Sequence, residues 1–197
     1  MEVTIIKYNA GNIYSVVHAL RRIGIEPLVT DDKERILAAD KVIFPGVGEA
    51  SFTMAYLRER QLDQLIIDLK QPTLGICIGL QLMCQHSEEG NTKCLGIFDT
   101  EVKKFVSNNP FDKVPQMGWN TITDLKTSLF SPDMENQYVY YVHSFFAERC
   151  AQTIAVTDYL QPYSAALHRD NFYATQFHPE KSGDMGERIL KNFVDLP

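Results

Sequence analysis

The stretch Thr73-Leu74-Gly75-Ile76-Cys77-Ile78-Gly79-Leu80-Gln81 leaves this chain the fewest ways to fold. The apolar run after Pro72 has strand character. Beyond Gly79, the residues Leu80, Leu82, Met83 and Cys84 fall among Gln81, Gln85 and His86 as in a partly buried helix. Cys77 therefore sits at a strand-to-helix turn with a glycine two residues away on either side. Such an elbow pushes the sulfur out over a sheet edge, and the glycines remove side chains that would collide with the neighbouring strand and helix. The helix N-terminus would put positive dipole and free N–H groups beside the sulfur, favouring thiolate over thiol. It would also aim the Ile78 N–H at the place where an oxyanion forms. Taken alone, a glycine-flanked cysteine more often marks a buried structural thiol.

A second segment decides between these readings. Gln176-Phe177-His178-Pro179-Glu180-Lys181 places a carboxylate two residues after a histidine, and Pro179 imposes extended geometry on His178. His178 and Glu180 are then expected on one side. A cysteine, a distant histidine and a carboxylate to orient it are the parts of an activated nucleophile. A metal pair built on His178 and Glu180 would need ligands such as His168 and Asp170, whose spacing fits no zinc pattern. No metal and no cofactor are expected.

Around these segments the periodicity alternates. Val3–Ile6 reads as a strand, then Ile13, Val16, Val17, Leu20 and Ile23 recur at helical spacing until Gly24. Residues 28–29 form a second strand, Asp31 and Asp32 open a short helix, and 42–44 form a third strand. After Pro45-Gly46-Val47-Gly48 come two helical patterns, the clearer with Leu62, Leu65, Ile66 and Leu69, and then the elbow strand. Strand alternating with helix four times predicts a parallel, doubly wound sheet, with ligands beyond the carboxyl ends of its strands. From Gly90 the pattern changes to strands at 102–105, 138–142, 153–157, 165–168 and 173–177 in antiparallel style, with one more helix carrying Ile189, Leu190 and Phe193. His18 and His86 fall on helical stretches. With 197 residues and no linker or repeat, the expectation is one α/β domain spanning 1–197.

Gly75-Ile76-Cys77-Ile78-Gly79-Leu80-Gln81 together with Phe177-His178-Pro179-Glu180 resembles the class I, triad-type glutamine amidotransferases. Phe44-Pro45-Gly46-Val47-Gly48, Pro115-Gln116-Met117-Gly118-Trp119-Asn120 and Pro179-Glu180-Lys181-Ser182 narrow the resemblance to the glutaminase subunits of imidazole glycerol phosphate synthases. The resemblance implies a flavodoxin-like fold: a central, mostly parallel sheet with flanking helices and an added antiparallel C-terminal strand group. It implies Cys77 as nucleophile, His178 as base and Glu180 as its orienting acid. The N–H groups of Val47 and Ile78 would form an oxyanion hole. Gly46, Gly48, Gln81, Glu89, His143, Ser144 and Phe145 would border the glutamine pocket, Gln81 and Glu89 meeting the amide and ammonium ends. Asn12, Trp119 and Lys181 would face a (β/α)-barrel cyclase subunit in a heterodimer.

Without the resemblance, the same residues have plainer roles. Pro45–Gly48 is a tight turn, His143 a strand-end histidine, Gln81 and Glu89 polar residues on a helix face, and Trp119 a core residue. Two further readings keep the fold. One is a glutaminase feeding another synthase, for sugar amidation or pyridoxal phosphate formation. The other is a non-catalytic regulatory subunit, which the intact Cys77, His178 and Glu180 disfavour.

Composition adds exclusions. A net charge of -6 argues against nucleic acid or an anionic membrane as partner. No apolar run approaches the ~20 residues a spanning helix needs. The first residues, Met1-Glu2-Val3-Thr4-Ile5-Ile6, lack a basic leader pattern, and four cysteines without paired spacing fit a reducing compartment, so a cytoplasmic location is expected.

Overall fold

The computed structural model describes residues 1–8, 13–107, 109 and 111–197. The first half alternates as the periodicity predicts: β1 (Val3–Ile6), α1 (Ile13–Arg22), β2 (Leu28–Thr30), α2 (Lys33–Ala38), β3 (Lys41–Phe44), α3 (Ala50–Glu59), α4 (Leu62–Asp68), β4 (Thr73–Ile76) and α5 (Ile78–Met83). Helix α1 buries Val16, Val17, Ala19 and Leu20 while Tyr14 and His18 face outward, and the chain leaves it through Gly24 at φ +83. The Asp32 carboxylate caps α2 by accepting from the N–H groups of Glu34 and Arg35.

The second half supplies β5 (His86–Ser87), β6 (Thr92–Lys93), β7 (Glu101–Lys104), β8 (Gln116–Thr121), β9 (Tyr138–His143), β10 (Phe145–Ala147), β11 (Thr153–Tyr159), β12 (Gln161–Arg169), β13 (Phe172–Thr175) and α6 (Gly183–Val194). Seven strands form the main sheet in the order β11-β12-β13-β4-β3-β1-β2. The run from β13 to β2 is parallel, and β12 and β11 extend it antiparallel. Helices cover both faces of the parallel part. One core joins Val16 and Leu20 of α1 to Ile189 and Phe193 of α6, and the other gathers Met54, Leu57, Leu62, Ile66 and Leu80. Every residue of β1, β3 and β4 is buried, which is why they read as continuous rather than alternating segments. The strand order reverses between β1 and β3, and the loops after β1, β3 and β4 all leave from the carboxyl end there. No helix among the described residues is long and apolar enough to cross a membrane.

Two stretches depart from the periodicity. The helix after the elbow ends at Met83, and His86 lies in β5 instead. The backbone there is claimed by strands: Gln85 N–H donates to Thr100, and Cys94 N–H donates to Gln85. Strand β8 carries no strand signal in its sequence, because it holds Gly118 and is half exposed. It forms a separate two-stranded ribbon with β9, Trp119 opposite Tyr140.

Candidate active site

Cys77 is the residue between β4 and α5, and its backbone has φ 53 and ψ -104. That region costs an L-residue about 1–3 kcal/mol and persists only where the surroundings enforce it. They do so here. Cys77 N–H donates to the Thr175 carbonyl at 2.8 Å, and the Cys77 carbonyl accepts from Gln81 N–H at 3.2 Å. The flanking glycines act through space rather than through φ. A Cβ on Gly79 would overlap the Phe44 carbonyl oxygen of β3, and one on Gly75 would lie 3.0 Å from the Gly79 carbonyl carbon. Gly79→Ala should therefore push α5 off β3 and lower stability by about 1–3 kcal/mol, read as a fall in the thermal midpoint. An unchanged midpoint would show that the helix can move without cost.

The chain reaches His178 three residues past β13's end. Its N–H donates to Tyr140 of β9 at 2.9 Å. The Ser182 hydroxyl donates to the His178 carbonyl at 2.7 Å and accepts from Tyr140 N–H at 2.9 Å. His178 is extended, as the following proline requires, but residues Pro179–Lys181 then form a 3-10 turn. That turn, rather than strand alternation, brings Glu180 Oε1 to 2.7 Å from Nδ1. A carboxylate accepts, so Nδ1 carries the proton donated to Glu180, and Nε2 is the ring atom that meets Cys77. Burial alone favours a neutral ring, but the charges and hydrogen bonds of Cys77 and Glu180 outweigh it and push His178 up to about 10.

Val47, Gly48, Cys77, Ile78, Gln81, Glu89, His143, Ser144 and Phe145 line one cleft of about 290 Å³. Gly46 lies behind it, where a Cβ would overlap the Tyr8 hydroxyl and the Ile78 side chain. Ile78 opens α5, a position whose N–H has no partner within the helix. Gln81 donates from Nε2 to the Phe145 carbonyl at 2.8 Å and to Gln176 Oε1 at 3.0 Å, so Oε1 is the polar atom it can still offer. Glu89 caps α3 by accepting from Ala50 N–H at 2.8 Å, and burial pushes its carboxyl up. The His143 ring is buried, donates from Nδ1 to the Phe145 carbonyl at 2.7 Å, and is lowered to about 4, chiefly by burial.

The cleft also engages residues the sequence did not single out. Gln176 is fully buried, with Nε2 3.7 Å from Cys77 Sγ. Tyr8, two residues past β1, donates its hydroxyl to the Pro45 carbonyl, and burial followed by the charge of Cys77 pushes its phenol well up. Gln176 falls in a predicted strand and Tyr8 just past another, and neither has a local pattern that could have marked it.

Trp119 is 55% exposed rather than core, and Met117 and Tyr138 on the same ribbon are 67% and 59% exposed. Trp119 meets the Tyr140 ring edge-on at 5.9 Å, and Lys181 Nζ lies 6.0 Å from the same ring. Two of the three expected partner-facing residues are thus joined through Tyr140. Asn12 lies outside the described residues. His168 stacks on Tyr173, at the far end of β13 from His178, and no group of three or more potential metal ligands occurs among the described residues.

Residues 4–196 match the family model described as glutamine amidotransferase class-I. The chain is 61% identical over 196 residues to the Bacteroides fragilis protein named imidazole glycerol phosphate synthase subunit HisH, each chain being covered completely. A protein of the same name from Yersinia pseudotuberculosis is 41% identical over 198 residues, again with both chains covered completely. Among solved structures, a putative GMP synthase subunit from Thermoplasma acidophilum superimposes with a TM-score of 0.75 at 20% identity, covering 98% of this chain and 92% of that one.

Proposed function

The chain belongs to the glutamine amidotransferase class-I family, and from that premise we propose that it is the glutaminase subunit of an imidazole glycerol phosphate synthase, working in the cytoplasm. The observation that carries the chemistry is a buried His178, held by Glu180 and turned toward a cysteine on a strained elbow. His178 Nε2 holds the proton given up by the thiol, and the Cys77 sulfur attacks the side-chain amide carbon of glutamine. The same proton passes to the leaving nitrogen, ammonia departs, and water hydrolyses the thioester to glutamate. Ile78 and Val47 N–H groups hold the oxyanions. Glu89 receives the substrate's ammonium group and Gln81 its amide.

Ammonia released into water is lost to the synthase, so the chemistry calls for a docked acceptor subunit. The exposed Trp119–Tyr138 ribbon supports this, because Ser182 ties Tyr140 directly to the His178 backbone. The partner is a (β/α)-barrel cyclase, and the product is imidazole glycerol phosphate with AICAR, in histidine biosynthesis. The full-length relatives named for that synthase support this reading over other glutamine-fed synthases.

The test measures glutamine hydrolysis by the chain alone, with a cyclase subunit, and with the cyclase and its nucleotide ligand. We expect low activity alone and a rise of at least about 10²-fold in the full assembly, the order of one oxyanion donor. Full activity in the isolated chain, or no incorporation of glutamine nitrogen by the cyclase, would overturn this reading of the chain.

A further inference from the structure

We propose that Gln176 is a catalytic residue of this site: its side-chain amide donates a hydrogen bond to the Cys77 sulfur and holds it as a thiolate facing the cleft. The proposal rests on the glutaminase reading above. The orientation of that amide is set from a backbone carbonyl. The Phe145 oxygen can only accept, and Gln81 Nε2 and His143 Nδ1 converge on it at 2.8 and 2.7 Å. The Gln81 atom at that point must therefore be its NH2 group. The second hydrogen of that group is directed at Gln176, 3.0 Å away, so the receiving atom must be Oε1. This leaves the Gln176 NH2 on the cysteine side, 3.7 Å from Sγ. Each amide is thus oriented by the one before it, and the first is fixed by the main chain.

The environment makes this donor effective. Gln176 is fully buried, and its backbone N–H is fixed to the Ala165 carbonyl at 2.8 Å, so its amide is shielded from bulk solvent. A sulfur anion accepts a hydrogen bond far better than a thiol, so the contact favours the charged form. The thiol proton goes to His178 Nε2, and Gln176 transfers none. The titratable groups facing the sulfur are His178 and Tyr8. Tyr8 stays neutral through the working range, since burial and then the charge of Cys77 push its phenol up.

The experiment follows alkylation of Cys77 by iodoacetamide in the intact chain, from about pH 6 to about pH 9. Peptide mass spectrometry separates Cys77 from Cys84, Cys94 and Cys150. Gln176→Met keeps length and bulk but removes the donor. Alkylation should slow about tenfold near pH 7, with the deficit closing as pH rises. The kcat should fall, while KM for glutamine stays within about threefold, because Gln176 does not line the cleft. A purely structural role would change the rate by one factor at all pH values. Gln81→Met, which frees the Gln176 amide to rotate, should displace the profile in the same direction, and it decides alone if Gln176→Met does not fold. Profiles superimposed on wild type in the folded variants would overturn the proposal. Alkylation needs no acceptor subunit, so this result is independent of whether the cyclase receives ammonia.

Discussion

Cys77→Ala should reduce glutamine hydrolysis by at least about 10³-fold while leaving the fold and the complex intact. Cys77, the nucleophile in the proposed function, is the only cysteine that lines the cleft, and losing a nucleophile typically removes nearly all triad-dependent rate. Alanine adds no bulk at a site enclosed by β4, α5 and β13, and the backbone hydrogen bonds that hold the elbow use main-chain atoms only. In the assembled synthase, ammonium salts should restore product formation without glutamine. The measurements are glutamate release, ammonium-dependent synthesis and thermal midpoint. Residual glutaminase within tenfold of wild type would remove Cys77 from its role.

The next largest effect belongs to His178 and Glu180. His178→Ala should cost about 10³-fold in kcat, since it loses both proton transfers. Glu180→Gln should retain at least about tenfold more activity than that, because it removes an orienting charge and leaves the base. The two also differ in pH dependence. His178 is held up at about 10 by Cys77 and Glu180, against burial. Its protonated form is favoured by the fold, so its stabilising contribution is complete below the ordinary value of about 6.5 and fades as pH rises towards about 10. Withdrawing the Glu180 charge lowers the folded-state value, so the alkaline limb of kcat/KM should move to lower pH in Glu180→Gln. A limb that stays in place would mean that Glu180 does not support the charged ring.

How much of this was legible in the sequence depended on how local the chemistry is. The elbow and the His178–Glu180 pair declare themselves within a few residues, because each part needs its neighbour at fixed spacing. The parallel half of the sheet was legible for the same reason: strands buried on both faces read as unbroken apolar runs between amphipathic helices. Contacts between remote polar residues leave no such trace. Gln81 and Gln176 are 95 positions apart and Tyr8 and Pro45 are 37, so nothing periodic joins them. The β8 ribbon escaped because its partner is β9 alone and half of it faces solvent, so burial wrote no alternation into Gln116–Thr121. Bulk alone would put Trp119 in a core, and the exposed side chain fits the partner-facing place that the resemblance implies instead.

The hydrogen bond from Cys77 N–H to the Thr175 carbonyl has a consequence for motion. It joins the end of β4, the middle strand of seven, to the end of β13, and His178 follows three residues later. The spacing of the Cys77 and His178 backbones is thus set by the central ladder of the sheet. Drawing them apart means breaking that ladder, an opening whose free energy approaches that of global unfolding, about 5–15 kcal/mol for a domain. Val47 and Gly48, partly exposed and beyond the end of β3, can open for far less. The Cys77 amide hydrogen would accordingly exchange with solvent on a slow timescale, and those of Val47 and Gly48 on a fast one. The backbone spacing of Cys77 and His178 is expected to persist, and fluctuation is expected to concentrate in the turn beside it.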